Sequence, residues 1–236
     1  MCGVGGKVLM LDPERIRANR VAIEQRMVAA CVRSGRETRP RLLMASKYLD
    51  VEGMAMVAQA GIRLVGENRA EGLEGKWNRW KDAFEFHFIG HLQSRKVRQV
   101  IPYVSLIHSV ESISLVEELD NRAETEVQVL LEVNVSGEGT KYGILPAAAE
   151  AFLERAAAYR KVIFVGLMTM APFTTDVGIL RSCFRGLREL RDHLAGLFAG
   201  RYELSELSMG MSNDYEVAVE EGATIVRVGS ALFSST

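Results

Sequence analysis

The sequence has few cysteines, no long apolar run and almost no net charge. Its three cysteines, Cys2, Cys31 and Cys183, are odd in number and lack metal-ligand spacing, so they indicate a reducing compartment. No apolar run approaches the roughly 18 residues of a membrane span, and the N-terminal residues lack a signal-peptide pattern. A net charge of −1 gives no basis for binding nucleic acid or an anionic membrane. We therefore expect a cytoplasmic protein with neither kind of partner.

No low-complexity stretch or flexible linker divides the chain, which predicts one domain over residues 1–236. Eight short, mostly continuous apolar segments predict parallel strands buried on both faces. They lie at 42–46, 64–66, 86–90, 106–110, 127–135, 162–170, 204–209 and 225–229. Helical patterns alternate with them, and a helical extension at about 12–35 precedes the first. Asp12 with Pro13 marks its start, while Asp50 and Gly61 mark the start and end of the next helix.

Strand and helix alternation of this kind predicts an α/β protein, a single (β/α)8 TIM barrel with an extra N-terminal helix. The alternative is a doubly wound sheet, but no glycine-rich dinucleotide turn follows the first strand. In a barrel, function lies at the carboxyl ends of the strands.

Lys47 ends the first strand, directly after the apolar run Leu42–Ala45 and Ser46. Burial would lower the pKa of such a lysine and make its amine a Schiff-base nucleophile. The alternative is a lysine that only extends to the rim of the sheet, with its charge in water.

Polar, glycine-rich loops follow the seventh and eighth strands, where barrels commonly bind phosphate. The first runs from Ser208 through Met211 to Ser212, and we expect Ser212 to cap the helix that follows. In the second, Gly229 would let the backbone approach a ligand and Ser230 would add a donor. Ordinary turn chemistry is the alternative for either loop.

Two further polar side chains belong to the predicted rim. Arg227 lies in an otherwise apolar strand and needs an acceptor, either in a structural ion pair or on a ligand's ring nitrogen. Asn68 follows the second strand and either caps the next helix or faces a ligand. His87 is expected to be a buried core histidine with partners, and the four histidines share no metal-ligand spacing.

A lysine, a phosphate-binding loop pair and a buried arginine on one rim suit pyridoxal phosphate, whose aldehyde, phosphate and ring nitrogen each find a partner. A sugar-phosphate aldolase or isomerase using the same lysine is an open alternative.

Six segments carry a resemblance to a known family, and they keep its order along nearly the whole chain. They are SKYLDVEGM, VGENRAEGL, FHFIGHLQSRKV, EVNVSGEGTKYGI, VGLMTM and LSMGMSNDYEVAVEEGATIVRVGSALF. The chain resembles the pyridoxal phosphate-binding homeostasis proteins (the YggS/PROSC family), single barrels like the N-terminal domain of bacterial alanine racemase, of fold type III.

The resemblance implies that Lys47 holds pyridoxal 5'-phosphate as a Schiff base. Ser212, Gly229 and Ser230 would contact its phosphate, Arg227 its pyridine nitrogen, and Asn68 would line the site. Ser208 and Met211 join these cofactor-binding residues. Lys141, in GEGTKYGI, matches a lysine that the family uses in secondary cofactor handling.

The implied function is pyridoxal phosphate homeostasis: buffering or delivery of the cofactor, which affects amino-acid and keto-acid balance. An arginine at the ring nitrogen would keep that nitrogen unprotonated, which favours a carrier over an enzyme. Apoenzymes that use the cofactor are expected partners, and a monomer is the expected state.

The alternative is a pyridoxal phosphate-dependent amino-acid racemase, although the six residues after Ser230 leave no room for a racemase's second domain. Two features depart from the family pattern, Arg69 and Gly72 in GENRAEG and the FSST tail. Both lie outside the residues assigned to the cofactor.

Overall fold

Eight parallel strands close into a barrel, in the order β1 to β8 with β8 pairing back onto β1. A computed structural model describes residues 12–47 and 49–234, so Cys2 and the last two residues of the FSST tail lie outside it. The strands are β1 Arg41–Ala45, β2 Leu64–Glu67, β3 Glu85–Phe88, β4 Leu106–Val110, β5 Val127–Glu132, β6 Val162–Met168, β7 Glu206–Ser208 and β8 Ile225–Val228. All eight lie where the sequence predicts strands, and the predicted barrel is confirmed.

Helices cover the outside of the barrel. They are α1 Pro13–Arg33, α2 Met54–Gln59, α3 Leu73–Trp80, α4 Ile113–Arg122, α5 Ala149–Ala156, α6 Val177–Leu197, α7 Tyr215–Glu220 and α8 Ser230–Phe233. Two 3-10 helices, Ser94–Gln99 and Ile101–Tyr103, stand between β3 and β4 in place of an α-helix, and a third, Pro146–Ala148, leads into α5. No helix among the described residues is long and apolar enough to cross a lipid bilayer.

The N-terminal helix α1 begins as the sequence predicts, because the Asp12 side chain accepts a hydrogen bond from the backbone N–H of Glu14. Its buried face includes Ile16, Ile23 and Met27, and it packs on α7 and α8. The extra helix therefore covers the side of the barrel where the last two βα units lie.

Asp50 does not start α2, which corrects the sequence prediction. Its carboxylate accepts a hydrogen bond from the N–H of Gly53, 2.8 Å away, and so closes a turn before the helix begins at Met54. Gly61 ends this unit as predicted, with φ of +80° directly after the helix cap Ala60.

Two apolar clusters hold the fold together. The larger lies between the strands and the helices. The smaller fills the barrel interior and consists of Leu43, Leu64, Leu106, Leu130, Met168 and Ile225. Since side chains alternate along a strand, the residues two positions from these also point inward. That alternation places a row of polar side chains inside the barrel, described below.

Candidate functional site

Lys47 lies at the carboxyl rim of the barrel, two residues beyond the end of β1. Strand β1 pairs with β8 through Met44 and Val228, and with β2 through Ala45 and Gly66. The rim loops after β8 and β2 therefore flank Lys47 on its two sides. The expected burial of Lys47 is wrong, because the chain turns after the buried Ser46 and leaves the lysine exposed.

A buried ion pair contacts the residue that precedes this lysine. Nζ of Lys76, on α3, is 2.7 Å from Oε1 of Glu67 at the end of β2. The same ammonium donates to the carbonyl oxygen of Ser46 at 3.3 Å, and the Ser46 hydroxyl also donates to Glu67. Ser46, the residue before Lys47, is therefore held by both Lys76 and Glu67. Sequence patterns do not indicate these contacts.

Asn68 follows β2 and has a buried side-chain oxygen, Oδ1, that has no hydrogen-bond partner among the described residues. It does not cap α3, whose N-cap is Gly72. Its backbone is held by close packing, because a Cβ on Gly90 would lie 2.2 Å from the carbonyl oxygen of Asn68. Of the two sequence interpretations, capping is therefore wrong, and a buried, unsatisfied acceptor lies directly after β2.

The loops after β7 and β8 meet at Ser212. Its Oγ accepts hydrogen bonds from the backbone N–H groups of Gly229 at 3.3 Å and Ala231 at 3.4 Å. Ser212 is not the predicted N-cap, because α7 starts later and its cap position is Asp214. Two N–H donors of the β8 loop instead converge on this hydroxyl, in the region where the sequence predicts phosphate contacts.

The remaining predicted phosphate-loop residues lie at the same rim. Ser230 and Met211 are exposed, and the N–H of Met211 donates to the Asp214 carboxylate. Gly229 has φ of −122° and ψ of −85°, which is neither helical nor extended, and a Cβ there would meet Ala45 at an ordinary contact of 3.5 Å. Crowding within the protein therefore does not require glycine at 229.

Arg227 is buried inside the barrel, with 6% of its surface exposed. Its Nη1 donates to Oγ of Ser208 at 2.5 Å, and its Nη2 donates to the carbonyl oxygen of Thr169 at 2.9 Å. The guanidinium thereby spans the carboxyl ends of β6, β7 and β8 and keeps further N–H groups for another acceptor. Ser208 is fully buried, so it acts on the site through Arg227 and not by facing the rim.

Two buried carboxyl groups lie near Arg227. Burial, and to a lesser extent the neighbouring Glu111, raise the pKa of Glu132 to about 7, although the charge of Arg227 opposes the rise. Burial also raises the pKa of Asp214. Burial lowers the pKa of Arg227 itself to about 10, so its guanidinium stays charged at neutral pH. Sequence reasoning missed Glu132, although an acidic residue closing the apolar strand β5 is a usable signal.

Lys141 lies on the other side of the rim from Lys47, in the loop that follows β5. Its Nζ donates to the side chains of Glu138 and Ser136 and to the carbonyl oxygen of Met170 at 3.4 Å. Strands β1 and β5, which precede the loops of the two lysines, are four strands apart in a ring of eight. Lys141 contacts the residue that follows Thr169, whose carbonyl oxygen accepts from Arg227, so it lies near the β6 end of the rim.

These residues form one arrangement at the rim: a lysine between an asparagine acceptor on one side and backbone N–H donors with a fixed cation on the other. A planar ligand with an aldehyde, a phosphate and a basic ring nitrogen fits this donor set. Among the described residues, no group of three or more His, Cys, Asp or Glu side chains could hold a metal ion.

The family model described as "Alanine racemase, N-terminal domain" matches residues 12–236 of the chain. A pyridoxal phosphate homeostasis protein from Aquifex aeolicus is 43% identical over an alignment of 214 residues that covers 89% of this chain and 93% of that protein. The class of the barrel is therefore that of the alanine racemase N-terminal domain. Within that class, the chain belongs to the family of pyridoxal phosphate homeostasis proteins.

Solved structures show the same architecture. PipY of Synechococcus elongatus PCC7942, solved with pyridoxal phosphate bound, superposes with a TM-score of 0.80 at 29% identity, covering 93% of this chain and all of that one. An alanine racemase from Clostridium difficile 630 superposes with a TM-score of 0.74 at 13% identity. This chain spans 57% of that racemase, and at such identity the likeness shows the fold alone.

Proposed function

We propose that this protein binds pyridoxal 5'-phosphate reversibly through Lys47 and holds it for pyridoxal phosphate homeostasis. The observation that carries the proposal is the placement of Lys47 between the loop pair joined at Ser212 and the unsatisfied acceptor of Asn68, with Arg227 fixed beside them. The family of the chain and the cofactor bound to PipY support it.

Each residue has a distinct part in the proposed binding. Condensation of the Lys47 amine with the cofactor's aldehyde forms a C=N bond and releases water, and hydrolysis reverses it. The hydroxyls of Ser212 and Ser230 would hold the phosphate, and the N–H groups of Gly229 and Ala231 would exchange their long bonds to the Ser212 oxygen for bonds to it. Arg227 would donate to the ring nitrogen, and Asn68 would accept from a ligand hydroxyl. The bound cofactor supplies an electrophilic imine and an electron-withdrawing ring.

We propose a carrier and not an enzyme. An arginine that donates to the ring nitrogen leaves that nitrogen unprotonated and weakens the ring as an electron sink. If wild-type protein abolished the optical rotation of L-alanine and Lys47→Ala did not, the protein would be an enzyme. That result would contradict the carrier proposal and support the alternative, an amino-acid racemase.

We propose further that the protein delivers the cofactor to apoenzymes. We propose a monomer in the cytoplasm, and the buried free thiols of Cys31 and Cys183 support a reducing compartment. Light scattering and cell fractionation test these two statements. Mixing the loaded protein with an apoenzyme of known cofactor dependence, across a dialysis membrane and without one, tests whether transfer needs contact.

Borohydride reduction followed by peptide mass spectrometry tests the site itself. We expect the cofactor's mass on Lys47, and a smaller fraction on Lys141 if that lysine takes part in secondary handling. Modification of Lys76 or of other lysines in preference to Lys47 would contradict the assignment. Trapping of a sugar phosphate on Lys47 would instead support a Schiff-base aldolase.

A further inference from the structure

A row of hydrogen bonds crosses the barrel interior and links Arg227 to the opposite end of the barrel. Glu85 Oε1 lies 2.7 Å from Nε2 of His87, whose Nδ1 lies 2.9 Å from Nε2 of His108. Nδ1 of His108 lies 2.8 Å from Oγ of Ser208, which accepts from Arg227. Both rings and Ser208 are fully buried. Because β4 and β7 are not neighbours in the sheet, the contact between His108 and Ser208 spans the interior.

The outer end of this row is a carboxylate. Oε1 of Glu85 accepts from His87 and from the hydroxyl of Ser105, and a nitrogen of Arg41 lies 3.6 Å away. The hydrogen bond with His87 is the largest cause that lowers the pKa of Glu85, to about 2. A carboxylate only accepts hydrogen bonds, so Nε2 of His87 must donate.

That constraint passes along the row. Burial lowers the pKa of His87 and lowers that of His108 well below its usual range, so both rings are neutral. A neutral ring has one donor nitrogen and one acceptor nitrogen. Nδ1 of His87 therefore accepts from Nε2 of His108, and Nδ1 of His108 accepts from the hydroxyl of Ser208. The Ser208 hydroxyl then donates its proton to His108, and its oxygen accepts only from Arg227.

The reverse direction does not satisfy the same atoms. It needs a protonated Glu85 beside Arg41, and it gives Ser208 two donors, one from His108 and one from Arg227. The serine proton would then need another acceptor inside the barrel. The carboxylate at one end and the guanidinium at the other thus fix one direction for every proton between them.

We propose that His87 and His108 are positioning residues that hold Ser208 as an acceptor toward Arg227, so that the arginine remains a cationic donor to the ligand's ring nitrogen. This inference rests on the proposed function, since it names the device that sets one contact of the same site. Neither histidine touches the ligand. Their effect reaches it through Ser208 and the direction of the arginine's remaining N–H groups.

The first test uses cofactor-free protein and so does not depend on ligand binding. Long-range ¹H–¹⁵N spectra of histidine-labelled Lys47→Ala protein report which ring nitrogen carries the proton. We expect His87 and His108 to carry it on Nε2 and to be neutral at about pH 7 to 8. A proton on Nδ1, or a doubly protonated ring at either position, would overturn the relay.

The second test measures the coupling to the ligand. His108→Leu removes both ring contacts, and we expect it to weaken pyridoxal phosphate binding about tenfold, the size of one lost buried hydrogen bond. It should also shift the ¹⁵N resonance of ¹⁵N-labelled cofactor. His108→Gln, which keeps an amide donor and acceptor, should recover most of the affinity. A matched control is His193→Leu, which removes an exposed histidine on the outer helix α6.

The outcomes separate the relay from the proposed function. Wild-type affinity and an unchanged ring-nitrogen resonance in His108→Leu would overturn the relay while leaving cofactor binding intact. If His108→Leu does not fold, the proton positions measured in Lys47→Ala decide the question. Absence of binding in wild-type protein, with the expected proton positions, would contradict the proposed function and leave the relay as a structural feature of the barrel.

Discussion

Lys76 and Glu67 form a buried ion pair that also holds the backbone of Ser46, the residue before Lys47. Their charged atoms are 2.7 Å apart, and their side chains are 9% and 5% exposed. The pair lies between β2 and α3, while Lys47 itself is exposed at the rim. The rim lysine is therefore accessible to a ligand, although the backbone that carries it is anchored from beneath.

Removing one partner of this pair should destabilise the protein strongly. Lys76→Met leaves the Glu67 carboxylate buried without its partner, and we expect a loss of about 3 kcal/mol or more in the free energy of unfolding. Urea denaturation measures it. The control is Lys96→Met, which breaks an exposed pair with Glu71 and should cost less than about 1 kcal/mol. Equal losses in the two variants would contradict the role given to the buried pair.

The buried carboxyl of Glu132 should make stability fall as pH rises. Its pKa is raised from 4.5 to about 7 in the folded state, chiefly by burial, so the folded protein binds more protons than the unfolded chain between these values. The contribution of Glu132 to stability is fully present below about pH 4.5, and it is lost progressively as the pH rises to about 7. Glu132→Gln should therefore be stabilising at about pH 8, by up to roughly 3 kcal/mol, and nearly neutral at about pH 4. Thermal melts across pH measure the difference, and a gain that does not vary with pH would refute it.

Asn68 should show opposite effects on stability and binding. Its buried Oδ1 lacks a partner among the described residues, so Asn68→Ala removes an unsatisfied acceptor. We expect the cofactor-free protein to gain about 1 kcal/mol in stability and pyridoxal phosphate affinity to fall about tenfold. Calorimetry with and without the cofactor measures both. A variant that loses stability without losing affinity would show that Asn68 is structural.

Gly210 precedes Met211 and Ser212 in the loop after β7, and a side chain there should destabilise the protein. Its φ is +89°, and a Cβ there would lie 2.5 Å from Cβ of Ala218. We expect Gly210→Ala to cost about 3 kcal/mol, from backbone strain and from crowding together.

Gly72→Ala separates the two causes. Gly72 has a similar φ of +81°, but a Cβ there would have no neighbour within 4 Å. We expect a cost of about 1 kcal/mol from the backbone alone. Denaturation of both variants tests the comparison, and equal costs would mean that crowding at 210 contributes nothing.

The strands and the rim were predictable because both follow from short-range patterns. Apolar runs bounded by turn residues mark buried strands, and parallel strands place the residues that follow them at one edge. This logic places Ser212, Gly229 and Arg227 in one region; Ser212 accepts from the N–H of Gly229, and the N–H of Arg227 donates to the carbonyl oxygen of Gly210. The same patterns predict the position of Lys47 at the end of a strand but not the direction of its side chain. The expectation that Lys47 is buried is wrong for that reason.

The contacts that organise the site depend on pairs distant in sequence, and sequence patterns do not show them. His108 and Ser208 are 100 residues apart, and they meet inside the closed barrel although β4 and β7 are not neighbouring strands. Ser212 was assigned as a cap from its neighbours in the chain, yet its hydroxyl is bound by Gly229 and Ala231 of another loop. A helix cap is predicted from neighbouring residues alone, and such a prediction fails where a contact with a distant loop binds the same side chain.

The most direct test of the account is the visible absorption spectrum of purified protein incubated with pyridoxal phosphate. We expect wild-type protein to show the band of a lysine-bound cofactor, and borohydride to abolish the band by reducing the C=N bond. Lys47→Ala should lack the band, and Lys141→Ala should keep it. Absence of the band in wild-type protein, or its persistence in Lys47→Ala, would contradict the central claim that Lys47 holds the cofactor.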